Sequence, residues 1–190
     1  DKFLIMPPAY YKYDDEEVID FYSKIANELK EAKIILYNFE KLSGYKFSID
    51  CIKKLVSKYP QQIVGVKDSS YNLYENLKID NFSIMPGSES KLLRGLELGC
   101  SGIITATTNI TGSLAREVYD NFNSNFPQPS NKKLCAVRSV FDNYNLISSL
   151  HTLMMQKSLL FKNLLPPLRL LNETEESELL SNLKKLNFNM

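Results

Sequence analysis

Five short apolar runs constrain this chain more than any other feature: FLIM (3–6), KIILY (33–37), IVGVK (63–67), FSIM (82–85) and GIITAT (102–107). Each is short and rich in β-prone residues, as strands are. None alternates cleanly between apolar and polar positions, which suits strands covered on both faces.

Helical patterns stand between and after these runs. Residues 14–32 open with acids at the positive end of the helix dipole, and Asp14 and Glu17 have capping-box spacing. In 48–59, Ile49, Ile52, Leu55 and Val56 fall on one stripe. Further helices are expected over 88–99 and 111–122. The order reads βαβαβαβαβα, which predicts parallel strands joined by right-handed crossovers. A polar, proline-containing connection follows (NSNFPQPSNKK, 123–133). The rest reads as helix: 134–163, a break at LLPPL, then 174–186. The expected division is therefore βα units over 1–126 and a helical extension over 127–190. Five βα units suit an open doubly wound sheet or part of a (β/α)8 barrel, which typically needs about 250 residues. Glycine-rich nucleotide-binding patterns are missing.

The formal net charge is +1, which argues against a nucleic-acid or membrane-surface binder. No apolar run is long enough to span a bilayer, and no signal-peptide pattern stands at the N-terminus. Cys51, Cys100 and Cys135 are too sparse for a disulfide framework or zinc spacing, and read as reduced thiols of a cytoplasmic protein. The single histidine, His151, lies in an apolar helical run and reads as a packed or half-exposed side chain. The first residue is Asp1 and a strand-like run follows at once, so we expect the chain to begin inside a longer reading frame.

In parallel α/β folds, ligands bind where the strands end. Those ends carry Pro8 to Tyr11, Tyr37-Asn38, Lys67-Asp68-Ser69-Ser70, Gly87-Ser88-Glu89 and Thr105 to Asn109. The set contains a lysine, several phenols, small hydroxyls, and backbone N–H groups at Gly87-Ser88 suited to a carboxylate. A lysine held in an apolar pocket loses its charge more easily, and the neutral amine attacks ketones to form a Schiff base. A tyrosine beside it relays protons. The plain alternative is a solvated Lys-Asp charge pair, with the tyrosines acting as packing or interface anchors.

The blocks PPAYY, LYNFEKLSG, VGVKDSS, MPGSES and GCSGIITATTNITG, in this order and spacing, closely resemble the dihydrodipicolinate synthase / N-acetylneuraminate lyase family. The likeness runs through residues 3–122 and again at LLPPLRLL. It implies a (β/α)8 TIM barrel with extra C-terminal helices, assembled as a homotetramer of two tight dimers. It implies pyruvate and an aldehyde as substrates, no metal and no diffusible cofactor, and in one branch a role in lysine biosynthesis. Lys67 matches the lysine that condenses with pyruvate, and Tyr37 the proton-relaying tyrosine. Tyr11 matches the tyrosine lent to the dimer partner's site. Ile104, Gly87 and Ser69 stand at positions that would contact the keto acid.

Departures from the family pattern bear on substrate. A Thr-Thr motif expected before FLIM has no counterpart here, and about a third of a barrel of typical length is unmatched. Leu42 replaces the arginine that grips the second substrate in the synthases. Lys41 beside it offers a point charge, not a planar fork. LSG (42–44) reads like the sialic acid lyases, yet Glu89-Ser90 lacks their acid pair and Ala106 replaces their serine. Three readings follow: a pyruvate-dependent synthase or aldolase, a keto-acid-binding relative without turnover, and a structural remnant.

Overall fold

The computed structural model describes residues 1–122 and 128–189. By contacts the chain divides into two units, 1–104 and 105–190.

The first unit is built on a parallel sheet, β1 (Lys2–Ile5), β2 (Lys33–Asn38), β3 (Ile63–Asp68) and β4 (Ser83–Pro86), in the order β1-β2-β3-β4. Sequential order with parallel pairing is what successive βα crossovers produce. Helices α1 (Asp15–Glu28) and α3 (Ile49–Lys58) cover one face; between them lies a single turn, α2 (Glu40–Ser43). α1 starts where the sequence expects it: Asp14 accepts the Glu17 N–H while Glu17 accepts that of Asp14. Ser48 caps α3 by accepting the Cys51 N–H. The core joins Val18, Tyr22 and Ala26 of α1 to Ile52 and Leu55 of α3 and to Ile34, Leu36, Ile63 and Val66 of the sheet. Each buried Val, Ile or Leu side chain contributes about 1.5–3 kcal/mol. Tyr22 is fully buried, and its hydroxyl donates to Ile5 O at 2.7 Å.

Three expectations for this unit need correction. No helix joins β3 to β4; residues 69–81 are turns and coil, organised by a carboxylate described below. The helix expected over 88–99 is a short 3-10 turn, Glu89–Lys91, running into α4 (Leu92–Glu97). The run 102–107 forms no strand. Ser101 N–H donates to Ile84 O and Ile104 N–H to Pro86 O, so three residues advance against two on β4. Gly102, at φ +138°, absorbs the extra residue and breaks the ladder.

The second unit is helical: α5 (Thr108–Asp120), α6 (Pro129–Phe141), α7 (Leu146–Met154), a 3-10 turn (Leu159–Lys162) and α8 (Glu173–Lys185). The connection expected at 123–133 lies partly outside the described residues; from Pro129 it is already α6. The single helix expected over 134–163 is three pieces. Asn145 accepts the Ser148 N–H and starts α7 afresh, and Ser158 caps the 3-10 turn. Val137, Phe141, Leu150, Leu153, Leu179 and Leu183 form the core of this unit. His151 is half-buried, with Nδ1–H donating to Phe161 O at 2.8 Å. No helix among the described residues is long and apolar enough to cross a membrane.

Burial also sets an alkaline limit on the first unit. Desolvation pushes the Cys51 thiol from 9.0 up to about 11, and raises the phenols of Tyr22 and Tyr45. The folded chain therefore holds these protons more tightly than the unfolded chain. That stability is complete below about pH 9 and is lost as pH rises towards 11. The urea midpoint should fall over this window, with Cys51 accounting for about 1–2 kcal/mol. Cys51→Ala should flatten that part of the decline.

Candidate functional site at the strand ends

The sheet's other face carries the candidate residues. Along β2 burial alternates, with Ile34, Leu36 and Asn38 buried and Lys33, Ile35 and Tyr37 half-buried. On β3 the alternation breaks: Ile63 is buried, Val64 half-buried, Gly65 and Val66 both buried, Lys67 half-buried. A bulge is the cause. Ile34 pairs with Ile63 but Ile35 pairs with Gly65, so Val64 is the extra residue. Beyond it Tyr37 is level with Lys67, and Lys67 with Met85. Without the bulge, Lys67 would fall beside Asn38, on the other face from Tyr37. Gly65 is required where the strands draw close: a Cβ there would lie 2.6 Å from Ser83 O.

Lys67 and Tyr37 meet directly. The Lys67 Nζ stands 4.0 Å from the centroid of the Tyr37 ring, within cation–π range. The Lys67-Asp68 charge pair weighed from the sequence does not form, because adjacent strand residues point to opposite faces. Asp68 is fully buried. Its Oδ1 accepts from Asn38 Nδ2 (2.8 Å) and the Tyr71 N–H (2.9 Å); its Oδ2 accepts from the N–H groups of Leu73 (2.9 Å) and Tyr74 (3.0 Å). Four donors thus surround the carboxylate and shape the 69–77 turns.

The other expected residues are placed as follows. Ser69 packs against Gly87, where a Cβ would come within 2.1 Å of its Oγ. The Gly87 N–H, expected to serve a ligand carboxylate, donates to Asp68 O at 2.9 Å. Ile104 is half-buried and tied to Pro86 through its backbone. Lys41 is exposed on α2, and Leu42 beside it is 56% exposed. Tyr11 is 66% exposed and packs edge-on against Tyr10, with ring centroids 4.9 Å apart. Tyr10 has φ +89°, unusual for a residue with a side chain. Lys67, Tyr37, Ser69 and Gly87 therefore gather at the ends of adjacent strands, while Tyr11 and Lys41 face solvent in this chain. Asn38 was missed as an organising residue. The signal available was its place beside Tyr37, at the end of a strand, next to polar turns.

Gly87→Ala should cost about 1–3 kcal/mol in urea denaturation, since the Ser69 backbone must move as well as its hydroxyl. Adding Ser69→Gly, which removes the two nearest clashing atoms, should recover part of the loss.

The sequence model of the dihydrodipicolinate synthetase family matches residues 1–186. An uncharacterized DapA-like lyase of Chloroflexus aurantiacus is 30% identical over 152 residues, 76% of this chain and 51% of that protein. A 2-dehydro-3-deoxy-D-gluconate/2-dehydro-3-deoxy-phosphogluconate aldolase of Picrophilus torridus is 29% identical over 127 residues, 64% of this chain and 46% of that protein. The chain thus spans about half the length of the curated relatives it matches. In fold it follows the dihydrodipicolinate synthase of Aquifex aeolicus with a TM-score of 0.85 at 23% identity, over 97% of this chain and 65% of that one. The parallel sheet and its helices are part of the TIM-barrel fold of these proteins, and the chain belongs to the dihydrodipicolinate synthetase family.

Proposed function

We propose that Lys67 forms a Schiff base with pyruvate and that Tyr37 moves the protons of that reaction. The reading is supported above all by one observation: the Lys67 amine lies against the Tyr37 ring, 4.0 Å from its centroid. Both side chains stand at strand ends, half-buried on the face of the sheet opposite α1 and α3.

The Lys67 Nζ attacks the ketone carbon, and the displaced π pair goes to oxygen. Protons passed through the Tyr37 hydroxyl convert that oxygen into water, which leaves as the imine forms. The imine draws electrons from the adjacent methyl carbon, whose proton is lost to give an enamine. That carbon attacks an aldehyde in synthesis; the reverse breaks the same bond and releases pyruvate. Water hydrolyses the imine and frees Lys67. The lysine itself is the electron sink.

For the second substrate we propose a 4-hydroxy-tetrahydrodipicolinate synthase-like condensation with aspartate semialdehyde. A second reading, an aldolase acting on a 2-keto-3-deoxy-sugar acid or N-acetylneuraminate, is supported by Leu42, an uncharged side chain 56% exposed on α2, and by the likeness to the aldolase of Picrophilus torridus. Tyr11, exposed in this chain, would complete the site of a second copy in a homo-oligomer.

Borohydride reduction in the presence of pyruvate should leave one adduct on the protein, mapped by mass spectrometry to Lys67 and absent in Lys67→Ala. An adduct on another lysine, or none, sinks the mechanism.

Tyr37→Phe keeps the ring beneath the amine and removes the hydroxyl. Turnover should fall about 10²–10⁴-fold while pyruvate affinity changes little. An unchanged turnover number would make Tyr37 a packing residue.

A further inference from the structure

Behind the Tyr37–Lys67 pair, on the helix-covered face, lies the next row of the sheet. Its members are Asn38 and Asp68, register partners and both fully buried. Their side chains are joined at 2.8 Å, Asn38 Nδ2 donating to Asp68 Oδ1. Asn38 uses every group it has. Its second Nδ2 hydrogen goes to Asn72 Oδ1 (2.8 Å), and its Oδ1 accepts the Phe47 N–H (3.1 Å). Asn72 closes the loop by donating to Phe47 O at 3.0 Å. The main chain repeats the link: Ser69 N–H donates to Asn38 O at 2.8 Å and Gly87 N–H to Asp68 O at 2.9 Å.

Resting on the Schiff-base reading above, we propose that Asn38 and Asp68 are positioning residues for Tyr37 and Lys67. Each is covalently next to one member of the pair. A bond between Asn38 and Asp68 fixes how far the ends of β2 and β3 can slide or splay. The same displacement would open the distance between phenol and amine on the other face. An apolar pair could fill this space but would leave the N–H groups of Phe47, Tyr71, Leu73 and Tyr74 without these acceptors, and the turns would not hold their shape. A displacement of about 1 Å at a reacting group is enough to cost on the order of 10²-fold in rate.

The test is a double-mutant cycle read by the rate of borohydride-trapped pyruvate adduct on Lys67, with pyruvate affinity and the folded fraction measured alongside. Asn38→Ser keeps all three backbone N–H partners of Asp68. It should slow trapping about tenfold or more while shifting pyruvate affinity less than threefold. In a Tyr37→Phe background, where the hydroxyl is already gone, the same change should slow trapping less than threefold. A purely structural role would lower the active fraction by the same factor in both backgrounds, and that result overturns the proposal. So does an unchanged rate in Asn38→Ser. Should Asn38→Ser fail to fold, Asn72→Ala, which removes only the outer member of the network, takes its place with the same expected split. Adduct formation in the unsubstituted protein separates the two ideas: no adduct there refutes the Schiff base and the positioning role together, whereas a normal adduct with additive variants refutes positioning alone.

Discussion

The buried carboxylate of Asp68 is the interaction on which the candidate site depends. An ionised acid is costly to take out of water, and only dense hydrogen bonding offsets that cost. Asp68 has it, from one side-chain amide and three backbone N–H groups. Those backbone donors belong to the turns that leave β3. The turns thus owe their shape to the residue that follows Lys67. A helix in this crossover would have satisfied most of its own N–H groups. Without one, the chain uses a side chain to do so.

The second constraint is the bulge at Val64. A strand has a period of two, so a single extra residue exchanges its faces. Before the bulge, Ile63 contributes to the core beside Ile34; after it, Val66 does so beside Leu36. An uninterrupted strand would give Ile63 and Val66 opposite faces. The bulge lets both be core residues and turns Lys67 towards Tyr37. The packing of the core and the meeting of Lys67 with Tyr37 thus depend on the same irregularity. Gly65 makes it possible, because no side chain fits against Ser83 O.

Much of this was legible in the sequence, for physical reasons that differ by element. α1 and α3 were readable because capping residues and an apolar stripe are local signals, and both survive in the structure. The four paired strands were readable from composition and spacing. The run 102–107 looks equally strand-like, yet pairing is a property of two chains in register, and Gly102 spoils the register without changing the apolar count. The break between α6 and α7 lies at FDNYN, where Asn145 competes for a backbone N–H; no proline marks it. Lys67 was legible as a candidate from motif and position. Asp68 was not legible as a core residue: acids are seldom fully buried, so a pair with its neighbour was the reasonable alternative.

The direction of Lys67 follows from which face of the sheet is covered. Helices α1 and α3 cover one face of the sheet, with Ile34, Leu36, Asn38, Val66 and Asp68 turned towards them. Lys67 belongs to the other face, with Ile35, Tyr37, Ser83 and Met85, where side chains are half-buried. An amine there stays half-exposed while its nitrogen lies against the Tyr37 ring. The polar residues on the covered face are those whose hydrogen-bonding groups find fixed partners there. Lys67, on the other face, meets no carboxylate within its own row, where its partners are Tyr37 and Met85. Exchange the two positions and each fails. An amine beneath the helices would meet the N–H groups of Tyr71, Leu73 and Tyr74, which are donors like itself. A carboxylate over the Tyr37 ring would meet the negative face of the π system. The order Lys-Asp at the end of β3 is therefore fixed by chemistry on both sides of the sheet at once.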